Sequence, residues 1–482
     1  MTDLKQKTAG TLKWNTVDRL ASQVLYGVVG IVLANVISQE DFGLVGALLV
    51  FQAFAIIFAD SGFGAALLRQ KHTSEEDYST VFWFNLIVSV VIYFILWFCS
   101  PIIADIFQKD ERLIPLSKIM FLTFVLNALA IVQTNRLMKM MDVKMIAISN
   151  VIAQVVGGGL GIGLALGGWG AWALVWQSVC LAGVKTGILW ATGGWFPRHW
   201  IHKDSFQRIW RIGLSVFSSS MLNTLFLTVY SFVIGAFYNL RSLGVYTQAD
   251  KWSKMGSASL SQIFTSSFVP LLARVQDNPA DFKRYMQRIN RFTAFITFPL
   301  LAGLAVVGEP LFHTLFGNKW DSAIPLFQIL CIRGIFVVLV SLFGNYMLAL
   351  GYGKRLFSIE VIKDVAIAIA ILSTVWFNSV ELLVWGQLWA SLATFIVVIY
   401  MVVRATGYSI TSFLNDFLLF FGITLLMCVG CWLLSKIWLS PVVSLLLQVT
   451  GGAIIFLGVS KIRKAPELTE ALAFFLKKKQ SL

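Results

Sequence analysis

Charge is what this sequence has least of. Only 13% of its 482 residues are Asp, Glu, Lys or Arg, about half of the roughly 25% usual in soluble domains. With 57% of the residues hydrophobic, an ordinary water-soluble globule is excluded, because too little polar surface remains to cover them. Histidine is also scarce. His199 and His202 stand at i, i+3 without a third ligand nearby in sequence, and His72 and His313 are isolated, so no metal site is expected. The five cysteines, Cys99, Cys180, Cys331, Cys428 and Cys431, all fall within apolar stretches. Cys428 and Cys431 have redox-pair spacing but no βαβ surroundings, and read as small packing residues. No GxxxxGK[ST] motif occurs. The run GGGLGIG (157–163) follows no strand, so its glycines read as close helix packing through Gly157/Gly161 and Gly159/Gly163. ATP is then not a plausible energy source within the chain. An H+ or Na+ gradient, substrate chemistry elsewhere or a downhill path is left, and no cofactor is expected.

What the sequence has instead is long apolar runs, with a mean hydropathy of +0.78. Each is long enough to cross a hydrocarbon core of about 30 Å as a helix. Fourteen spans are predicted, at 14–37, 43–68, 79–104, 113–135, 145–167, 169–194, 212–238, 243–272, 292–315, 322–350, 356–378, 381–403, 411–435 and 440–460. The fold class is therefore an all-α, multi-pass membrane protein. The polar start MTDLKQKTAGTLKW has no cleavable-signal pattern, so the first span is expected to direct insertion.

Lys and Arg are distributed unequally between the two sets of loops. One side holds 26 of them; the other holds Lys109, Arg112, Arg241, Lys319 and Lys436. The bias predicts that both termini are cytoplasmic. It also accounts for most of the net charge of +14 as a topology signal, and gives no support to nucleic-acid binding.

The second span opens on Glu40-Asp41-Phe42-Gly43-Leu44, and about 201 residues later the eighth opens on Arg241-Ser242-Leu243-Gly244-Val245-Tyr246. Their far ends, AALLRQ and PLLARVQ, are alike too. Six predicted spans precede the 195–211 loop and six lie between it and Arg404. The expected organisation is a six-helix lobe at 1–203, a second at 204–408 and two extra helices with a basic tail at 409–482. An even-numbered repeat inserts the same way twice, so the two lobes should be related by an axis along the membrane normal. The segment PELTEALAFFLKKK (466–479) reads either as an interfacial helix or as a frayed basic tail.

Seven bases and seven acids are left inside the predicted spans. A charge at the bilayer centre costs about 2.5–3.5 kcal/mol on insertion scales, so these groups must snorkel, pair or face a wet cavity. Lys185, Lys251, Lys254 and Arg333 lie deepest, against Asp60 and Asp364. Asp250 and Lys254, at i, i+4, are placed to pair locally. Buried ion pairs tying helices together are one reading of this set. The other is a cavity with surplus positive charge, which implies an anionic partner. On that reading the candidate cavity residues are Arg19, Asp60, Lys118, Lys185, Lys251, Lys254 and Arg333, with Arg19 and Lys118 at a cavity mouth. Asp60, Gly62, Gly64 and Asp250 are candidate gating residues, since glycines permit a helix break or a close approach. Packing at a helix crossing is the alternative for that group.

The pieces DFGLVGALLVFQAF, FADSGFGAALLRQK and FGNKWDSAIPLFQILC (316–331) resemble the polysaccharide transporter family, of the colanic-acid-exporter type. It belongs to the multidrug/oligosaccharidyl-lipid/polysaccharide exporter superfamily. The resemblance runs from about Lys7 to Arg404. It implies a non-enzymatic flippase of the bacterial inner membrane, with two six-helix lobes around a cation-lined cavity. Its substrate would be a polyprenyl-pyrophosphate-linked oligosaccharide, a lipopolysaccharide, O-antigen or exopolysaccharide unit, moved from the cytoplasmic to the periplasmic leaflet by alternating access. The implied partners are the bilayer and a polysaccharide polymerase with its export machinery. The competing expectations are a cation-coupled multidrug exporter of the same superfamily and an O-antigen polymerase or ligase. The first would favour an acidic cavity. The second generally carries a large periplasmic loop, whereas the longest outer segment predicted here is about Asp105–Arg112.

Overall fold

The computed structural model describes residues 2–60, 62–70, 73–437 and 440–469. Among these the chain is helical and contains no strand. In order come α1 (Thr2–Val36), α2 (Gln39–Asp60), α3 (Phe63–Arg69), α4 (Glu75–Phe98), α5 (Ser100–Ile106) and α6 (Leu113–Met120). Then follow α7 (Leu122–Lys139), α8 (Val143–Leu166), α9 (Ala171–Gly193), α10 (Lys203–Phe237), α11 (Leu240–Ala273) and α12 (Pro279–Val306). The last six are α13 (Gly308–Phe316), α14 (Ala323–Ala349), α15 (Gly353–Thr374), α16 (Val380–Thr406), α17 (Ile410–Ser435) and α18 (Pro441–Ile462).

Among the described residues twelve segments are apolar and long enough to cross a membrane, α6 and α7 together making one of them. The two other predicted spans are also helices, α11 and α15. They are less apolar: α11 carries Arg241, Asp250, Lys251 and Lys254 in its first half and a serine-rich stretch in its second, and α15 carries Lys354, Arg355, Glu360, Lys363 and Asp364. The all-α, multi-pass membrane class expected from hydropathy is therefore the class observed. Four predicted spans differ in detail. The 43–68 span is broken between α2 and α3, 113–135 is interrupted at Phe121, 292–315 is divided at Val307 between α12 and α13, and 79–104 divides at Cys99, where Pro101 helps to start α5.

Local sequence explains where helices begin. The Ser38 hydroxyl accepts from the Asp41 amide at 3.0 Å and donates to the Asp41 carboxylate at 2.6 Å, capping α2. Ser74 and Asp77 form a reciprocal capping box at α4. Between α2 and α3 the chain turns through Gly62 at φ +69°, a conformation that favours glycine. A Cβ there would also overlap the Gly213 carbonyl of α10.

The chain forms two compact units, Met1–Thr247 and Gln248–Leu482, with the boundary inside α11. In the first, α8 packs on α1 and α9, α7 on α4 and α9, and α10 on α2 and α3. Gly157 and Gly161 of the GGGLGIG run lie against Gln177 and Leu181 of α9, as expected for close packing. Gly159 and Gly163 face open space instead; they sit on the opposite side of the same helix.

In the second unit α14 and α15 pack on α16, while α12 and α18 flank α17. A fully satisfied polar network ties α17 down. The Tyr408 hydroxyl donates to Asp416 at 2.7 Å, the Asn290 amide donates to the same carboxylate at 3.2 Å, and the Tyr346 hydroxyl donates to Asn290 at 2.7 Å. Burial, then the Asp416 carboxylate, push the Tyr408 phenol well above its ordinary value, which keeps it a donor. Arg291 of α12 pairs with buried Glu467 at 2.6 Å. Most of the predicted interfacial helix at 466–479 lies outside the described residues.

Candidate functional site

The first unit holds four of the predicted cavity residues. Arg19 is exposed on α1. Beside it, Asp18 accepts from Asn150 of α8 at 3.0 Å and from Ser22 at 3.2 Å. Lys118 is half-buried on α6 with its ammonium 4.9 Å from the Trp97 ring centroid, within cation–π range. Lys185 is half-buried on α9. It lies within electrostatic reach of Asp18, and no ion pair holds it among the described residues. Asp60 ends α2, and its carboxylate accepts from the Gly64 amide at 3.2 Å. Gly64 is wedged between Asp60 and Asn135. The segment singled out in the sequence is thus a helix break, capped on the far side by the carboxylate that precedes it.

The same break is held from its other end by a residue that the sequence presented only as a loop charge. Lys139, the last residue of α7, donates to the Leu67 carbonyl at 3.0 Å, to the Gln70 carbonyl at 2.8 Å and to the Thr73 hydroxyl. These carbonyls are the unsatisfied acceptors at the end of α3.

The second unit holds Lys251 and Lys254 on α11 and Arg333 on α14. Lys254 pairs with Asp250 at 2.6 Å, the local pair that its spacing predicted. The Lys251 ammonium lies 5.5 Å from the Trp252 ring centroid. Arg333 donates from Nε to the Ser391 hydroxyl of α16 at 3.3 Å. Asp364 is buried on α15 and lies 4.0 Å from Lys363, which also pairs with Glu360. Within this unit the acids at depth are thus met by Lys254 and Lys363, while the Arg333 guanidinium is met by a hydroxyl.

An apolar groove of about 520 Å³ opens in the same unit, walled by α12, α14, α16 and α17. Phe298, Phe336, Phe395 and Phe417 supply much of its surface. Its α17 wall runs from Ile410 to Cys428, about 27 Å at 1.5 Å per residue. Arg333 shares α14 with Ile332, Ile335 and Phe336 of the groove wall without lining the groove itself, and Phe395 follows its partner Ser391 by one turn of α16. Sequence reasoning missed both the groove and Ser391. A groove-lining phenylalanine and a lipid-facing one look alike in a hydropathy profile, and a lone serine in an apolar helix carries no signal.

A family model described as "Polysaccharide biosynthesis protein" matches residues 32–325, more than half of the chain. The chain belongs to the polysaccharide biosynthesis protein family. This is the affiliation that the motifs at 41–71 and 316–331 implied. Among curated members of similar sequence, the teichuronic acid biosynthesis protein TuaB of Bacillus subtilis is 26% identical over 350 residues, covering 72% of each chain. The succinoglycan biosynthesis transport protein ExoT of Rhizobium meliloti is 25% identical, over 73% of this chain and 71% of that one. The lipopolysaccharide biosynthesis protein WzxC of Escherichia coli is 25% identical, over 75% and 73%. In fold, this polysaccharide biosynthesis protein resembles the lipid II flippase MurJ in an inward closed conformation. The TM-score is 0.76 at 13% identity, covering 93% of this chain and 98% of that one. An inward-facing multidrug resistance transporter of the MATE family gives 0.58 at 14% identity, over 81% and 98%.

Proposed function

We propose that this protein moves a polyprenyl-pyrophosphate-linked oligosaccharide from the cytoplasmic to the periplasmic leaflet of a bacterial inner membrane. The observation that carries the reading is a combination in the second unit. A long apolar groove shares α14 and α16 with an arginine whose described side-chain partner is a hydroxyl, which suits an amphiphile with an isoprenoid tail and an anionic head. An arginine matches phosphate oxygens with two parallel donors. Lys251 and Lys254 add basic groups on α11 of the same unit, and Arg19, Lys118 and Lys185 of the first unit enter the reading as the further cavity residues the sequence predicts. The names of TuaB, ExoT and WzxC, all proteins of polysaccharide biosynthesis or its transport, agree with a saccharide cargo.

The predicted repeats at 1–203 and 204–408, followed by 409–482, belong to this reading. So do cytoplasmic termini, alternating access, gating at Asp60, Gly62, Gly64 and Asp250, coupling to an H+ or Na+ gradient, and work beside a polymerase. No chemistry is asked of the protein itself.

The test is complementation of a deletion strain, scored for surface polysaccharide and for lipid-linked oligosaccharide held inside. One charge-assisted hydrogen bond is worth about 1.5–3 kcal/mol, so Arg333→Gln is expected to lower export roughly ten- to hundredfold. The lipid-linked intermediate should accumulate while the amount of protein in the membrane stays normal. Full export by an Arg333→Gln/Lys251→Gln double variant would sink the assignment.

A further inference from the structure

At the end of the first unit away from the basic loops, two glycines meet. A Cβ built on Gly43 of α2 would overlap the Leu240 carbonyl of α11, and one built on Gly244 of α11 would overlap the Gln39 carbonyl of α2. The relation is reciprocal: each glycine covers the carbonyl four residues before the other. The built Cβ of Gly244 also lies 2.9 Å from the Gly43 amide nitrogen. Backbones come this close only where neither residue has a side chain. The contact recurs more loosely one turn on, where the built Cβ of Gly46 lies 2.9 Å from the Thr247 hydroxyl and 3.3 Å from Leu243.

A rim of polar contacts surrounds the crossing. Arg241 donates to the Gln39 side chain at 2.7 Å. Arg112 pairs with Glu40 and, at 2.6 Å, with Asp110. Gln108 donates to the Tyr238 carbonyl. Phe107, fully buried, packs against Gly235 of α10. These residues come from the α2 start, the 107–112 connection and the α10–α11 turn. Glu40 and Arg241, with Gly43 and Gly244 themselves, fall in the two stretches whose likeness, Glu40–Leu44 and Arg241–Tyr246, the sequence displays.

The geometry points to a glycine clasp: Gly43 and Gly244 hold the first turns of α2 and α11 together as the closed outer gate, and opening requires this pair to part. Burial of Gln39, at 6% exposure, is the measure of closure. A methyl group at either glycine removes the close approach and leaves the rim bonds to hold the ends by themselves. The exposed rim pairs contribute little individually, so the open arrangement gains population.

The experiment uses the full chain in intact cells, with the five native cysteines replaced by alanine and Gln39→Cys as reporter. A membrane-impermeant maleimide is added outside. Gly43→Ala and Gly244→Ala are each expected to label roughly fivefold faster than the parent. Gly159→Ala, at a glycine facing open space, should label at the parental rate. Gly46→Ala meets only the Thr247 and Leu243 side chains and should fall between. Equal labelling of all four variants and the parent overturns the clasp. If Gly43→Ala and Gly244→Ala do not accumulate in the membrane, Gly46→Ala against Gly159→Ala decides alone: faster labelling supports the clasp and equal labelling overturns it. The readout is accessibility, so it stands or falls separately from the identity of the cargo.

Discussion

Asp60 is held by a backbone amide. Its carboxylate accepts from Gly64 across the break between α2 and α3, the task of an N-cap side chain, and its cost in an apolar stretch is offset there. Removing such an acceptor typically costs about 0.5–2 kcal/mol. Asp60→Ala should therefore lower the melting temperature of the detergent-solubilised protein, and Asp60→Asn, which keeps an acceptor, should recover most of the loss. An Asn variant as unstable as the Ala variant would show that the charge itself is needed. The sequence made Asp60 conspicuous because a carboxylate beside glycines in an apolar run is legible. Its partner was not, since the Gly64 amide is donor to any residue the turn brings near. Ser391 and Lys139 were illegible for related reasons: one is a common polar residue in a helix, and the other had already been counted as a loop charge. The Lys254–Asp250 pair was readable in advance, because i, i+4 spacing fixes geometry within one helix.

Elements were easier to read than partners. A run of 20 apolar residues specifies a helix whatever surrounds it, so all fourteen predicted spans are helical. The charged α11 and α15 were read as spans in spite of the Lys, Asp and Glu they carry. What hydropathy does not encode is an interruption, and the breaks at Gly62, Cys99, Phe121 and Val307 each leave the average hydrophobicity unchanged. The groove-forming helix α17 shows how one polar network secures an element. Asp416 is only 2% exposed, and Tyr408 is one of its donors. Tyr408→Phe leaves a buried carboxylate oxygen short of a partner, at about 1–3 kcal/mol, and loosens the α12–α17 contact that forms one groove wall. A fall in melting temperature together with faster proteolysis of the segment beyond Tyr408 is the expected result. Unchanged values for both would mean that Asn290 and Gln287 satisfy Asp416 without the Tyr408 hydroxyl.

At the scale of the whole molecule, the chain's basic character is arranged by side. Five Lys and Arg fall on one side of the topology that the sequence predicts, at Lys109, Arg112, Arg241, Lys319 and Lys436, against 26 on the other. Two of these five, Arg112 and Arg241, are engaged by Glu40, Asp110 and Gln39 in the polar rim around the glycine crossing. The Arg112 guanidinium, by direct hydrogen bonding, holds the Asp110 carboxyl below its ordinary range. The few basic residues on the sparse side thus include ones with structural tasks. Retention of Lys and Arg on the cytoplasmic side orients multi-spanning proteins, so the arrangement makes a prediction that needs no substrate. Alkaline phosphatase joined after Lys109 or Lys319 should be active outside the inner membrane, and joined after Lys203 or Arg404 it should be inactive. The reverse pattern would invert the leaflet direction assigned to transport, and it would place the glycine clasp on the cytoplasmic face, leaving the fold as described.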